Sequence, residues 1–464
     1  MVTDSGDGGS RGGIRGGGGT PGADDLRGRE AVRFTSELIR IDTSNRGGGD
    51  CQERPAAEYV AERLAEAGLS PLVLESAPGR ANVVVRIPGS EPALSALLVH
   101  GHLDVVPAQA EDWSVPPFSG EIRDGVVWGR GAVDMKGTDA MLLAVVRAWS
   151  REGRGPRRDV VLCFTADEED SAAAGADWLV HKHADLFAGC TEAVGECGGY
   201  TVHTAAGQRL YPVAAGERGT NWVRLTARGT AGHGSKPNRA NAVTRLSAAM
   251  TRIGWHSWPV RITPTVRAAL LALGEATGVP LTPAEVDDPA FDADGYLARL
   301  DPAAARLVAA SLRNSANPTV LQAGYKTNVI PGLAVGEVDG RTMPGLAAEF
   351  EAALDQLTGP EVDWSYLHRE NALVAPVDTA VFAAMRAALL AHDPGATVVP
   401  FCMSGGTDAK QFSRLGITGY GFSPLRLPPG YDFQGLFHGV DERVPVDALR
   451  FGAAVLDDFL SSVG

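Results

Sequence analysis

Cysteines and long apolar runs are scarce in this sequence. Its 5 cysteines are scattered over 464 residues without a Cys-x-x-Cys pair, a pattern that favours reduced thiols over a disulfide framework. No apolar run approaches the roughly 20 residues that are needed to cross a bilayer. The N-terminus also lacks the hydrophobic core of a secretory signal. These absences predict a cytoplasmic protein without a membrane partner.

Positive charge is also in the minority. The 42 Lys and Arg residues are outnumbered by 56 Asp and Glu residues, which gives a formal net charge of −14. A surface of that sign repels nucleic acid, so we expect no nucleic-acid partner. The length of 464 residues allows two or more domains and a large core.

The first 25 residues are rich in glycine and nearly devoid of apolar side chains. Such a segment cannot bury enough surface to offset the entropy lost on ordering, so residues 1–25 are interpreted as a disordered tail. Strands and helices then alternate as far as about residue 216. This alternation predicts an α/β fold in which a central, mostly parallel sheet is covered by helices.

The most informative stretch is LLVHGHLDVVP, residues 97–107. Its apolar start is typical of a buried strand, and open α/β sheets bind ligands at the carboxyl ends of such strands. His100, His102 and Asp104 share one face because side chains alternate along a strand. They could hold a metal ion, or they could be solvated residues at a strand end.

Three further carboxylates occupy comparable positions. Asp134 precedes a long apolar helix, Glu169 follows a buried strand within an acidic run, and Glu196 lies between glycines at another strand end. Each could instead be a helix cap or a solvated loop residue. If the three converge with His102 at one edge of the sheet, they form a ligand set that suits zinc in a hydrolytic site.

A different pattern begins at about residue 217. Residues 222–228 alternate strictly between apolar and polar, which indicates a half-buried strand of a separate sheet. Residues 255–315 contain several short helical pieces separated by prolines, and strands resume near residue 319. A second structural unit is therefore expected after the first α/β segment.

Eight motifs from about residue 28 to the end resemble, in the same order, the zinc-dependent exopeptidase and deacylase family of acetylornithine deacetylase, succinyl-diaminopimelate desuccinylase, glutamate carboxypeptidase and aminoacylase. They are HGHLDVVP, WGRGAVDMKG, TADEED, GECGG, GTAGHGSKP, NVIP, SGGTDAKQF and FHGVDERV. One such motif would be a weak signal, but eight in order make a chance match improbable.

The resemblance implies two zinc ions per subunit, with Co²⁺ or Mn²⁺ as alternatives. Asp134 would bridge the ions; His102 and Glu196 would complete the ligands of one ion, and Glu169 and His438 those of the other. Asp104 would orient a ligand imidazole, and Glu168 would act as the general base. The family does not bind metal through a residue at the position of His100, which we interpret as structural.

The resemblance also implies residues that bind the substrate. His233 would reach the active site of a neighbouring subunit and stabilise the oxyanion of the tetrahedral intermediate, although a lone histidine between glycines is also typical of a solvated loop. Arg341 would bind the free carboxylate of the substrate, which suits a guanidinium. Further candidates, each of which could equally be an ordinary turn or loop residue, are Asn328, Gly405, Gly406 and Thr407.

The resemblance divides the chain into a catalytic domain, residues 26–216 and 346–464, and an inserted lid and dimerisation domain, residues 217–345. Within that lid, the segment 255–315 looks longer than in compact family members. Glu196, where the aminopeptidase branch usually has aspartate, and Arg341 favour a hydrolase that cleaves the amide bond of a small N-acyl amino acid or short peptide with a free carboxylate. The resemblance, together with an exposed edge strand expected in the lid, implies a homodimer through the lid domain.

Two alternatives to this function stay open. One is an aminopeptidase-type dipeptidase of the same family, and the other is a catalytically silent member that binds or senses a ligand. A silent member should have lost its base or a metal ligand, whereas every expected position is filled here.

Overall fold

The computed structural model describes the backbone of residues 23–464 and the side chains from residue 26 onward. Of the predicted glycine-rich tail, residues 1–22 lie outside the described residues. Residues 23–25 belong to the first helix rather than to the tail. In the described part of the chain the helices are α1 (Ala23–Ile39), α2 (Arg54–Glu66), α3 (Lys136–Glu152), α4 (Ala176–Lys182), α5 (Ala242–Gly254), α6 (Pro264–Thr277), α7 (Pro283–Val286), α8 (Ala293–Leu297), α9 (Pro302–Ala309), α10 (Ala347–Thr358), α11 (Ala380–His392), α12 (Ala409–Phe412) and α13 (Val446–Ser462).

The strands of the same residues form one large sheet, one small sheet and two short ribbons. They are β1 (Leu72–Ala77), β2 (Arg80–Ile87), β3 (Ala96–His102), β4 (Glu121–Arg123), β5 (Val126–Trp128), β6 (Val160–Thr165), β7 (Cys190–Gly195), β8 (Val202–His203), β9 (Arg209–Glu217), β10 (Gly219–Arg228), β11 (Gly232–His233), β12 (Ser315–Ala323), β13 (Val329–Ile330), β14 (Leu333–Thr342), β15 (Val362–Arg369), β16 (Leu373–Val374), β17 (Thr397–Met403), β18 (Thr418–Gly421) and β19 (Arg443–Pro445).

The large sheet has the strand order β1-β2-β6-β3-β7-β18-β9-β16, with β17 and β8 also paired to β9. Its centre is parallel, because β3 runs parallel to both β6 and β7, and β7 runs parallel to β18. All seven residues of β3 are buried, as expected for a strand that is covered on both faces. The predicted α/β fold with a central, mostly parallel sheet is confirmed.

Helices cover both faces of this sheet. On one face, α1, α3 and α13 pack together around Phe34, Met141 and Phe459. On the other face, Leu179 of α4 and Phe412 of α12 pack against the strands. Within the described residues, no helix is both long enough and apolar enough to span a membrane.

The small sheet is antiparallel and has the order β12-β14-β10-β15. Helices α5 and α10 cover one of its faces, where Leu246 and Phe350 pack against Val223. Helix α10 and strand β15 follow residue 345 in the chain. The small sheet with its covering helices, here called the small layer, therefore continues as far as Arg369. The predicted return to the catalytic domain at residue 346 is too early.

Helices α6 to α9 pack on the large sheet rather than on the small one. Leu270, Tyr296 and Leu307 form a core with Leu210 of β9 and Val399 of β17. The segment 255–315, which the sequence assigned to the lid, thus covers the outer part of the large sheet. Its position matters for the site, because α9 lines a cavity together with Cys197 and Phe437, which are next to two predicted metal ligands in sequence.

Candidate metal centre

The predicted metal ligands lie where several segments meet at one edge of the large sheet. His102 is the last residue of β3, Glu196 directly follows β7, and Glu169 lies in the loop after β6. Asp134 is in the turn before α3, and His438 is in the loop between β18 and β19. The chain thus brings together all five residues from five separate segments.

The five side chains form two groups that share one carboxylate. His102, Asp134 and Glu196 are one group, Asp134, Glu169 and His438 are the other, and within each group the ligand atoms lie within 4.8 Å of one another. Asp134 Oδ1 lies 3.0 Å from His102 Nε2, and Asp134 Oδ2 lies 3.3 Å from His438 Nε2. Each carboxylate oxygen faces a different imidazole, which is the arrangement expected of a bridging ligand.

The electrostatics of these groups fit a pair of divalent cations. Burial and the nearby Asp134 raise the pKa of Glu196 to about 8, because gathered carboxylates disfavour one another's charge. Hydrogen bonds with Asp134 and Glu169 raise the pKa of His438 to about 10. Glu169 Oε1 is buried without a hydrogen-bond partner. Cations would satisfy both the excess negative charge and this unpartnered oxygen.

Asp104 is buried and holds the loop that carries two adjacent glutamates. Its Oδ1 accepts the Glu168 N–H at 3.2 Å, and its Oδ2 accepts the Glu169 N–H at 3.1 Å and the Asn45 amide at 2.9 Å. His102 Nδ1 lies 3.0 Å from the Asp104 carbonyl oxygen but 3.7 Å from its carboxylate. The main chain of Asp104 therefore orients the imidazole, whereas its carboxylate positions the loop.

The adjacent glutamates face different surroundings. Glu169 Oε2 lies 3.0 Å from His438 Nε2 and belongs to a ligand group. Glu168 instead lines a cavity of about 420 Å³. Burial and the nearby Glu196 raise the pKa of Glu168 well above its ordinary value, which increases its affinity for a proton. This placement supports separate roles for the two neighbours, one as a ligand and the other as a base.

His100 is buried away from these groups. Its ring lies 5.2 Å from the ring of Phe412, and Nε2 has no hydrogen-bond partner. A Cβ at Gly195 would lie 2.4 Å from the imidazole, so the glycine allows the close approach of β7. Burial lowers the pKa of His100 to about 3. The neutral ring fills the space between the sheet and α12, in agreement with a structural role.

The cavity next to Glu168 has Arg341 of β14 on its lining. The guanidinium is held by Asp339, with Nε 2.8 Å from Oδ1, and by Thr220 Oγ1 at 3.0 Å from Nη1. Trp222 and His368 line the same space from the small sheet. A fixed guanidinium and a half-buried glutamate therefore border one cavity between the two sheets.

The loop at residues 404–407 departs in part from its predicted role. Gly405 and Gly406 line cavities beside the metal ligands. The Thr407 N–H, however, donates to the buried Glu217 at 3.1 Å, and its hydroxyl donates to the same carboxylate at 2.7 Å. Thr407 lines the cavity next to Glu168, but both its N–H and its hydroxyl are already partnered by Glu217 in this conformation.

His233 and Asn328 lie together on an exposed ribbon of β11 and β13. The Gly234 N–H donates to the Asn328 carbonyl at 2.9 Å, and the Ser235 N–H donates to His233 Nδ1 at 3.2 Å. Among the described residues, no hydrogen bond or ion pair joins this ribbon to the metal-ligand groups of the same chain. Both side chains are thus available to another molecule.

Glu442 is a functional candidate that the sequence reasoning missed. It is fully buried and accepts hydrogen bonds from Arg130 at 2.7 Å and from the N–H groups of Gly131, Val133 and Asp134 at 3.0, 2.7 and 3.0 Å. These bonds fix the turn that presents Asp134. The signal was present in the motif FHGVDERV, which places Glu442 only four residues after His438.

Glu442→Gln is expected to weaken metal binding by about 10–100-fold, because a neutral amide with one acceptor oxygen cannot hold the Asp134 turn. The measurement is the metal content of the purified variant after dialysis against buffers of fixed free zinc. Asp447→Asn removes the same charge from a side chain that is 88% exposed and serves as the control. Equal zinc affinity in Glu442→Gln and the control would show that Glu442 does not position Asp134.

The sequence is similar to those of known proteins. The sequence profile described as Peptidase family M20/M25/M40 matches residues 98–462. N-fatty-acyl-amino acid synthase/hydrolase PM20D1 of Xenopus tropicalis is 27% identical over 437 residues, which cover 91% of this chain and 83% of the relative. Aminoacylase-1 of Sus scrofa is 27% identical over 417 residues, which cover 88% and 89% of the two chains.

Solved structures share the fold. The M20 family metallo-carboxypeptidase Sso-CP2 from Sulfolobus solfataricus superposes with a TM-score of 0.69 at 18% identity, over 93% of this chain and 98% of that chain. Human carnosine dipeptidase 1 gives a TM-score of 0.65 at 17% identity, over 94% and 96% of the two chains.

Proposed function

Because the chain belongs to Peptidase family M20/M25/M40, we propose that it hydrolyses the amide bond of an N-acyl or peptidyl amino acid with a free carboxylate. The observation that carries the proposal is the cavity that Glu168 and Arg341 both line beside the metal-ligand groups. The names of two relatives, an aminoacylase and an N-fatty-acyl-amino acid hydrolase, support N-acyl amino acids as the substrate class.

The proposed cofactor is a pair of zinc ions held by the two ligand groups that share Asp134. When bound, such ions polarise the scissile carbonyl and lower the pKa of the attacking water. Glu168 accepts the proton from that water and returns it to the leaving amine. His102 is suited to its part because Nδ1 faces a carbonyl oxygen; with the proton on Nδ1, the lone pair of Nε2 is available to an ion that Asp134 would also bind.

Substrate orientation is assigned to Arg341. A guanidinium that is already held in place loses little entropy when it binds a carboxylate through two parallel hydrogen bonds. With the carboxylate at Arg341 and the amide at the metal-ligand groups, the amino acid half of the substrate occupies the cavity of about 420 Å³.

A comparison of N-acetyl-L-methionine with its carboxamide tests the substrate assignment. The free acid is expected to be hydrolysed at least about 30-fold faster than the carboxamide, because the amide would leave the charge of Arg341 without a partner, which costs about 2 kcal/mol or more of binding free energy. Arg341→Met is expected to remove most of this difference in rate. Arg224→Met, which removes an exposed arginine of β10 that pairs with Glu337, is the control. Equal rates on acid and amide would refute the assignment, and hydrolysis confined to dipeptides with a free amino group would favour the aminopeptidase alternative.

We further propose that the chain forms a homodimer through the small layer. Strand β12 is an edge strand of the small sheet, and most of its residues are exposed. Beside it, a groove between α5 and β12 is lined by Trp255 and Leu321, which are 85% and 53% exposed. Pairing two such edges about a two-fold axis would cover the apolar side chains and the unpaired backbone.

The proposed location is the cytoplasm. Its support is the state of the cysteines, since Cys51, Cys163, Cys190, Cys197 and Cys402 are all free. Free thiols persist in reducing compartments.

A further inference from the structure

A second cavity also borders the candidate metal centre. It has a volume of about 460 Å³, within the range of about 300–1,000 Å³ that is typical of ligand pockets. Cys197, which follows Glu196, and Phe437, which precedes His438, both line it. Gly405 lines this cavity and Gly406 lines the first one. Both cavities are therefore lined by residues next to the predicted metal ligands in sequence, and both border the loop that contains Gly405 and Gly406.

The walls of the second cavity are mainly apolar and rigid. Tyr200, Phe401, Met403 and Phe437 contribute most of the large side chains. The ring of Phe433 packs between two of them, tilted against the ring of Tyr200 at 4.7 Å and edge-on to the ring of Phe437 at 5.3 Å. The Tyr200 hydroxyl accepts a hydrogen bond from the Gln434 amide at 2.9 Å, so its polar atom is already partnered. These features suit an apolar occupant.

One wall is supplied by helix α9, from the segment whose role the sequence did not explain. Leu307 and Ala310 line the cavity from this helix and its C-terminal end. Among the described residues that line the cavity, Arg306 is the one charged side chain, and it is exposed. Because α9 is anchored to the large sheet through the core that contains Leu307 and Val399, this wall has a fixed position relative to the metal ligands.

We propose that this cavity binds the apolar acyl chain of the substrate, and that Ala310 and Leu307 limit the length of chain that it accepts. The proposal rests on the proposed function. In an N-acyl amino acid the acyl and amino acid halves extend from opposite sides of the scissile amide. When the amino acid half lies beside Arg341, the acyl half extends into the second cavity. Each methylene buried there is expected to raise kcat/KM by about fourfold.

The test is a chain-length series of N-acetyl-, N-butanoyl-, N-hexanoyl- and N-octanoyl-L-methionine. For the unmodified enzyme kcat/KM should rise along the series. Ala310→Trp, at an exposed position that lines the cavity, should lower kcat/KM for the octanoyl substrate at least tenfold and leave that for the acetyl substrate within twofold. Ala309→Trp, on the exposed part of the same helix but off the cavity lining, is the matched control and should behave as the unmodified enzyme.

A binding measurement separates this inference from the proposed function. Octanoate should bind the unmodified enzyme and Ala309→Trp equally, and Ala310→Trp at least tenfold more weakly, in isothermal calorimetry. If no N-acyl amino acid is hydrolysed but octanoate binding depends on position 310, the proposed function is wrong and the acyl cavity stands.

Two results would overturn the inference while the proposed function survives. One is hydrolysis of the whole series without dependence on chain length, together with octanoate binding that Ala310→Trp does not change. The other is a preference for N-succinyl-L-methionine over N-butanoyl-L-methionine that Arg306→Ala abolishes, because the cavity would then bind an anionic acyl group.

Discussion

Glu168→Gln is expected to lower kcat by about 10²–10⁴-fold while both metal ions stay bound, because an amide cannot accept the proton of the attacking water. The geometry behind this expectation is that Glu168 lines the substrate cavity, whereas Glu169 lies in a ligand group with His438. The experiment combines steady-state kinetics on N-acetyl-L-methionine with metal analysis of the same protein samples.

Glu169→Gln is the contrasting variant. It should lose metal first, since one of its carboxylate oxygens lies 3.0 Å from His438 Nε2 and the other is buried without a partner. Excess zinc should restore part of the activity of Glu169→Gln and none of that of Glu168→Gln. If the two variants lost metal and activity alike, the division of roles between these neighbours would be wrong.

Mixed dimers of Glu168→Ala and His233→Ala are expected to recover roughly a quarter of the activity of the unmodified enzyme, although each variant alone is nearly inactive. The reason is that the ribbon with His233 and Asn328 is exposed and makes only local contacts in its own chain, so His233 is proposed to act in the partner's site. Random exchange gives half mixed dimers, and each of these has one complete site of two.

The control for this experiment mixes Glu168→Ala with Glu169→Ala. Both residues belong to the same chain's site, so each site of a mixed dimer lacks one of them and no activity should return. Subunit exchange is followed by fluorescent labels on the two variants. If the labels show subunit exchange but the mixture of Glu168→Ala and His233→Ala recovers no activity, His233 acts in the site of its own chain or takes no part in catalysis.

Much of the fold and the metal-ligand cluster could be predicted from the sequence. The strand at 97–102 was evident because three apolar residues run into histidines, and the structure shows β3 buried at the centre of the sheet. The resemblance to a zinc exopeptidase and deacylase family, the hydrolase class and the α/β fold are confirmed. The roles of individual residues stay predictions, although the structure brings His102, Asp134 and His438 together with the carboxylates.

Other features could not be predicted because they depend on long-range packing. The pattern of α10 and β15 shows a helix and a strand, but only the pairing of β15 with β10 assigns them to the small sheet. Helices α6 to α9 are apolar on one side, and periodicity does not say which sheet they cover. Glu442 and Glu217 are buried acceptors of backbone hydrogen bonds, a role that no local sequence pattern distinguishes from a surface carboxylate.

Two metal ions, held by groups that share Asp134, are proposed to be required for hydrolysis of an N-acyl amino acid. The most direct test removes metal with a chelator and titrates Zn²⁺ back while hydrolysis of N-acetyl-L-methionine is followed. If the ions are required, the metal-free protein is inactive, recovery is complete at two equivalents of zinc per chain, and Asp134→Ala does not recover. Full activity in protein that elemental analysis shows to be free of metal would contradict this requirement.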